Sequence, residues 1–558
     1  MGASTPPVAR QKDAGHATGA VAPLHAGRWS GAASARAAGL FVVAGAILAT
    51  ALALPWLRQD LAWLEIAAVA AALLGAEHLR GWRGEATVLF SAALALAIAF
   101  HWAPKVLAHS MQTSDEIGLL FTIPIVLWDA ARLAIPVWCA ARLARDARDA
   151  WVPAGLAAVA TEALVPGVFP WKLGYSQIAW PVTIQAADLL GPEAPTFALF
   201  AQAGILAAGV WAVGQAWSGV PWAAAFRRAV TPAVCAALLV TAANLAYGAW
   251  AIGHYARAAS AAPQASVALV QVDPSNDDSV ADLQRLTQEA CAGRDKPFDF
   301  ICWPECAGGS YEDCLTSFAD PDRIMKHSRE PGRGLRPWEN PTCPLLFGGK
   351  IYCGYPERPR EIYQSALLID RDETMIGRYD KRHLMPFGEY VPGGDHFPQL
   401  RHYFPMEIEF DVGSDATVLA CGAQAKLGVM LCYEDMVPGA ARSLVRNSAN
   451  ILVSLINGAA FTEPLTLVQH RLLAQLRAVE NRRCLLRCAA TGETCVISPV
   501  GTIVARLPLH VKQVLEAEVP LLEGRSLSSL IGPAFPITCA AILGVVIVGR
   551  RGRRPTGA

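Results

Sequence analysis

Eight apolar runs, each close to the length that crosses a bilayer, constrain this chain more than any other feature. A spanning segment needs about 20 apolar residues. Inside hydrocarbon its backbone polar groups must be satisfied within the segment, so such runs fold as helices. They fall at residues 37–57, 61–79, 85–103, 117–141, 151–169, 194–216, 229–252 and 528–549. Composition agrees: 53% of residues are hydrophobic and 17% charged, against about 45–50% and about 25% in water-soluble domains. Formal net charge is zero, so the basic signature of a nucleic-acid binder is absent.

Charge between the runs sets orientation, because cytoplasmic loops collect Lys and Arg. Residues 1–36 are rich in Ala, Gly and Pro and carry Arg10, Lys12, Arg28 and Arg36. The alternate loops carry Arg80 and Arg83, then Arg142, Arg145 and Arg148, then Arg227 and Arg228. The chain end carries Arg550, Arg551, Arg553 and Arg554. The opposite loops hold only Arg58, Lys105 and Lys172. The pattern predicts a disordered basic cytoplasmic tail at 1–36, seven spans within 37–254, an outward domain at 255–525, a last span at 526–549 and a basic cytoplasmic tail at 550–558. At 558 residues the chain has room for both a membrane part and a separate domain.

The outward domain reads as α/β. Apolar, β-rich runs occur at Ser266–Gln271, Phe298–Trp303, Leu345–Gly349, Ser365–Ile369, Lys426–Cys432, Ile451–Leu455 and Thr494–Ser498. Helical stretches lie between them, at 278–292 and 465–482. The second is amphipathic, with Leu465, Val468, Leu472, Leu476 and Val479 on one face. Alternating strands and helices predict layered sheets flanked by helices. Eleven of the 14 cysteines fall between Cys291 and Cys495. Their spacing matches no zinc motif and contains no Cys-x-x-Cys, so neither a metal nor another cofactor is expected. An oxidising compartment would permit pairing, and Cys343 and Cys353 are expected to bridge a loop.

Three segments carry chemistry. In Ile301-Cys302-Trp303-Pro304-Glu305 a strand ends at proline and a carboxylate follows at once. In residues 379–392 two prolines, a glycine and several aromatics constrain a loop that holds Lys381 and Glu389. In Leu427-Gly428-Val429-Met430-Leu431-Cys432-Tyr433-Glu434 a buried strand delivers a cysteine to its end. Each has an ordinary reading taken singly: a loop glutamate, a surface lysine, a buried thiol. Taken together they supply a base, an oxyanion partner and a nucleophile. A thiol near neutral pH is mostly protonated, so Cys432 needs Glu305 as base and Lys381 as a cation to lower its pKa. The lysine would then stabilise a tetrahedral oxyanion, and Glu305 would return the proton to the leaving group. Lys381→Ala is expected to abolish acylation and leave the fold intact.

These residues resemble the Glu–Lys–Cys triad of the nitrilase superfamily, which implies an αββα sandwich. The likeness is closer to the apolipoprotein N-acyltransferase family, whose nitrilase-like domain precedes the last of eight spans. Its lysine loop is similar to residues 379–392 nearly throughout, and its Cys-Tyr-Glu motif matches Cys432-Tyr433-Glu434. Another family segment resembles Phe169-Pro170-Trp171-Lys172-Leu173-Gly174-Tyr175-Ser176-Gln177. The resemblance implies a monomeric inner-membrane enzyme with a periplasmic catalytic domain. Its donor would be a phospholipid, typically phosphatidylethanolamine, and its acceptor the α-amine of an apolipoprotein's diacylglyceryl-cysteine. Cys432 would carry the acyl group as a thioester. Glu389 would assist Lys381, Glu434 would position cysteine and lysine, and Tyr433 would pack beside the nucleophile and shape the acyl channel. Pro170-Trp171 and Trp180-Pro181 would suit a membrane interface, where Trp concentrates. The chain departs from the family at Gly458, Ala460 and Thr462, where an aspartate, a tryptophan and a glycine are usual. It departs again at Ala490, where asparagine is usual. The departures spare the triad and bear on the acceptor, so another amine or amide is the alternative. A non-enzymatic transport or scaffold role is disfavoured by the intact triad.

Overall fold

The computed structural model describes residues 45–551 except 77, 112, 168, 273–278, 306, 308–309, 313–341, 354–360, 373, 405, 407, 460 and 462. The expected tail at 1–36 and all but the first two residues of the expected tail at 550–558 lie outside the described residues, as do the departures at Ala460 and Thr462.

Every predicted span lands on a helix. In chain order the helices are α1 (Gly45–Leu57), α2 (Trp63–Gly75), α3 (Trp82–Ala99), α4 (Ala103–Ser110), α5 (Asp115–Leu143), α6 (Trp151–Leu164), α7 (Ala194–Trp217), α8 (Trp222–Ala229) and α9 (Pro232–Ala261). Among the described residues, four of these (α3, α5, α7 and α9) are long and apolar enough to cross a membrane alone. The 13-residue α2 and 14-residue α6 are shorter. The 30 residues of α9 extend about 45 Å at 1.5 Å per residue, beyond a hydrocarbon core of about 30 Å. The surplus carries the chain to the first strand of the α/β domain.

That domain holds β1 (Gln264–Gln271), α10 (Ser279–Cys291), β2 (Phe300–Cys302), β3 (Ser310–Glu312), β4 (Leu345–Cys353), β5 (Glu361–Ile369), β6 (Met375–Asp380), β7 (Val418–Cys421), β8 (Ala425–Leu431), α11 (Pro438–Arg446), β9 (Ile451–Ile456), α12 (Pro464–Asn481), β10 (Leu485–Ala489), β11 (Cys495–Ile497), β12 (Ile503–Arg506) and β13 (Gln513–Pro520). The chain ends in α13 (Ala534–Arg551). One sheet runs β13-β1-β2-β4-β5-β6, with β3 on β4; the other runs β12-β11-β10-β9-β8-β7. Strand side chains alternate faces. Val267 and Leu269 of β1 therefore join Leu427, Val429 and Leu431 of β8 in a core between the sheets. Ala268 and Val270 turn outward to Leu283 and Leu286 of α10. Ala440 and Leu444 of α11 and Ala474 and Ala478 of α12 cover the second sheet. The result is the expected αββα sandwich.

Two expectations are corrected here. The 465–482 helix is not amphipathic in the sense of one wet face: Thr466, Leu467 and every residue from Gln469 to Asn481 are buried. Its apolar residues Leu472, Leu476 and Val479 pack with Trp171, Tyr175 and Ile178 from the membrane part. Its polar residues are buried because they bind that part. Gln469 donates to the carbonyls of Trp56 (3.1 Å) and Ala99 (2.9 Å) and accepts from Trp102 Nε1 (2.9 Å). Arg477 donates to Tyr175 Oη (2.8 Å), and Arg482 to Asp188 (2.8 Å). The Cys343–Cys353 bridge is excluded. Cys343 precedes β4 and Cys353 ends it, and neither is in a disulfide. Ten residues of extended strand separate them by roughly 33 Å, whereas a disulfide holds its Cα atoms within about 7 Å.

Candidate active site

The three segments meet at one end of the sandwich. Glu305 follows β2, Lys381 follows β6 and Cys432 follows β8. The first two belong to one sheet and the third to the other, so the site forms only when the sheets face each other. Cys432 has φ +46°, a left-handed backbone that a side chain rarely adopts. It begins a short 3-10 turn, Cys432–Met436. The sharp change of direction presents the thiol at the strand end while Leu431, before it, stays in the core.

Lys381 lies at the centre with 1% of its side chain exposed. Its Nζ donates to Glu389 Oε1 at 2.6 Å and stands 3.6 Å from Glu305 Oε1. The other oxygen of Glu389 accepts from Met385 N at 2.8 Å. Glu305 is buried. It accepts from Gln364 Nε2 at 3.4 Å and from the Asn457 backbone at 3.1 Å, and the Cys432 thiol hydrogen-bonds to it. Burial pushes Glu305 up to about 7, against the pull of Lys381. Burial also opposes the charge on Lys381, but Glu389 and Glu305 outweigh it and raise its pKa. Lys381 pulls the thiol down as expected, but burial and then Glu305 outweigh it and hold Cys432 well above the ordinary thiol range. The resting pair is thus a protonated thiol beside a base whose pKa is near neutrality.

Glu434 serves the backbone. It accepts from Tyr379 Oη (2.7 Å), Arg382 N (2.9 Å), His383 N (3.1 Å) and Leu431 N (2.9 Å). Burial would raise its pKa, but His383, the Leu431 amide, Lys381 and Tyr379 together lower it. One ionised carboxylate therefore ties the lysine loop to the cysteine turn. Tyr433 packs with Trp171, Tyr175 and Leu472, and burial lifts it to about 12. Trp171 itself is 5% exposed and donates to Asp129 Oδ2 at 3.3 Å, so it belongs to the interior and not to an interfacial belt.

Sequence reasoning missed Gln364, Asn457 and Asp435. The first two act through an amide on a β-rich run and through a backbone N–H, neither of which has a residue-type signal. Asp435 had one: it follows Glu434 directly in an apolar context. The departure at Gly458 has a steric basis. A Cβ there would stand 2.7 Å from Leu467 Cδ2 and 3.3 Å from Gly492 N, so a larger residue requires the Leu467 side chain to shift. Among the described residues no His, Cys, Asp and Glu group could hold a metal.

Two family models match. One, Carbon-nitrogen hydrolase, covers residues 266–528. The other, Apolipoprotein N-acyltransferase N-terminal domain, covers residues 44–205. The chain is 32% identical over 393 residues to the apolipoprotein N-acyltransferase of Geobacter metallireducens, covering 69% of this chain and 70% of the relative. It is 27% identical over 451 residues to that of Azotobacter vinelandii, covering 78% and 81%. The crystal structure of Saccharomyces cerevisiae Nit3, a member of branch 10 of the nitrilase superfamily, aligns at 19% identity and TM-score 0.32, covering 53% of this chain and 96% of that one.

Proposed function

The chain belongs to the apolipoprotein N-acyltransferase family, and from that premise we propose that Cys432 carries the transferred acyl group. The enzyme is a membrane acyltransferase of lipoprotein maturation, with lipid and lipoprotein substrates. The observation that carries the cysteine assignment is the convergence of Glu305, Lys381 and Cys432 from two sheets onto one buried site.

In the first half-reaction Cys432 Sγ attacks the ester carbonyl of a phospholipid, with phosphatidylethanolamine as the donor. Glu305 takes the thiol proton as the S–C bond forms. The carbonyl oxygen becomes an oxyanion beside the Lys381 ammonium, which Glu389 holds in place. The C–O bond then breaks, Glu305 protonates the leaving glycerol oxygen, and lysophospholipid departs. In the second half the α-amine of a diacylglyceryl-cysteine attacks the thioester, passes a proton to Glu305, and the thiol leaves reprotonated. Membrane placement suits both substrates, because each buried CH₂ anchors a lipid by about 0.8 kcal/mol. The basic loops support an inner-membrane protein with eight spans and residues 255–525 in the periplasm.

Incubating the full-length protein with phosphatidylethanolamine tests the assignment. A hydroxylamine-sensitive acyl adduct on Cys432 is expected, with none in Cys432→Ala. A Cys432→Ala chain that still transfers acyl groups would overturn it. Gly458 favours a second reading, another amine as acceptor, because the carboxylate usual at that position is missing. N-acylated lipoprotein in a depleted strain complemented by this gene decides against that reading.

A further inference from the structure

Two adjacent carboxylates follow the cysteine and point in opposite directions. Glu434 fastens the turn to the lysine loop. Asp435 fastens it to the rest of the second sheet, and no step of the chemistry uses it. Asp435 is fully buried. Its Oδ1 accepts from His470 Nε2 of α12 at 2.8 Å. Its Oδ2 accepts from Ser454 Oγ of β9 at 2.8 Å and from Arg487 Nε of β10 at 3.0 Å. An ionised carboxylate has no proton to give, so Nε2 of His470 carries the hydrogen. Arg477, also on α12, donates to the Met436 carbonyl at 3.0 Å. The turn is gripped on this side by three elements.

A left-handed backbone at a non-glycine residue persists only where its surroundings over-determine it. Cys432 is such a residue, three positions before Asp435. Glu434 fixes one side of the turn, to the lysine loop and to the Leu431 amide at the end of β8, and does not reach β9, β10 or α12. Asp435 reaches all three. We propose that Asp435, held by His470, Ser454 and Arg487, is a positioning residue for acyl transfer, setting the turn so that the Cys432 thiol faces Glu305.

The inference rests on Cys432 being the nucleophile, and the test separates the two. Full-length wild type, Asp435→Ala, His470→Ala and His470→Gln are compared for thioester formation from phosphatidylethanolamine, for Cys432 alkylation by iodoacetamide, and for thermal unfolding. Misplacing a reacting group by about 1 Å costs about 100-fold in rate. Asp435→Ala is therefore expected to lower kcat for acylation by about that factor, with KM for the phospholipid unchanged. His470→Gln keeps an N–H donor towards Asp435 and is expected to recover most of the rate that His470→Ala loses. A folded Asp435→Ala enzyme with wild-type kcat would overturn the proposal. So would losses that track only the folded fraction, or equal losses in His470→Gln and His470→Ala. If Asp435→Ala does not fold, the His470 pair decides. If wild type forms no thioester, the nucleophile assignment fails instead, and the alkylation rates still show whether Asp435 and His470 set the thiol.

Discussion

At the scale of single residues, the site separates a base from an oxyanion partner by environment. Glu305 is pushed up to about 7 by burial. Below that pH it is protonated and cannot accept the thiol proton; above it the base is ready. Single-turnover thioester formation should therefore rise with pH through about 7 and then level off. A rate flat between about pH 5 and 8 would remove Glu305 from the base role. Lys381→Ala is also expected to lower stability. The lysine ammonium faces both Glu389 and Glu305. Lys381→Ala abolishes acylation but leaves two buried carboxylates without their cation, a class of change that costs about 3–5 kcal/mol. Adding Glu389→Gln should restore part of the lost thermal stability without restoring activity. Equal unfolding temperatures for the single and double variants would contradict this.

At the scale of elements, the strand that leads to Cys432 depends on close approach. Gly428 sits in β8 beneath α11. A Cβ at this position would stand 2.8 Å from Ala449 Cβ and 3.1 Å from both Leu444 Cβ and Leu452 Cδ2. Gly428→Ala should destabilise the chain by about 1–3 kcal/mol through overpacking and lower the acylation rate by shifting the strand end. Unchanged unfolding and rate would show that α11 yields freely. The strands with clear apolar runs were legible in the sequence: β1, β2, β4, β5, β8, β9 and β11 all coincide with predicted runs. β6, β7, β10, β12 and β13 were not. β6 carries Arg378 and Asp380, and β13 carries Glu516 and Glu518, so their pattern resembles a polar loop. Their strand state comes from pairing, β6 with β5 and β13 with β1. β10 hides Arg487 inside a fully buried run, because Asp435 neutralises it.

At the scale of the whole molecule, α12 joins the α/β domain to the apolar helices through buried hydrogen bonds and ion pairs. The charge pattern of the loops predicts which side that domain faces. A cysteine introduced at Gln513 should react with a membrane-impermeant maleimide in intact spheroplasts, and one at Arg227 only after lysis, each judged against the unsubstituted chain. The reverse labelling would invert the proposed topology. The sequence by itself determined the apolar helices, the α/β character of the domain and the three segments bearing Glu305, Lys381 and Cys432. Those properties are local: apolar length, strand composition and turn chemistry act within a few residues. Only the tertiary structure decided that burial outweighs the pull of Lys381 on the thiol. Only it decided that α12 is buried on both faces, and that Asp435 is held by three elements distant in sequence. Burial and electrostatics are set by what packs around a group, and here those neighbours come from two sheets and a membrane bundle.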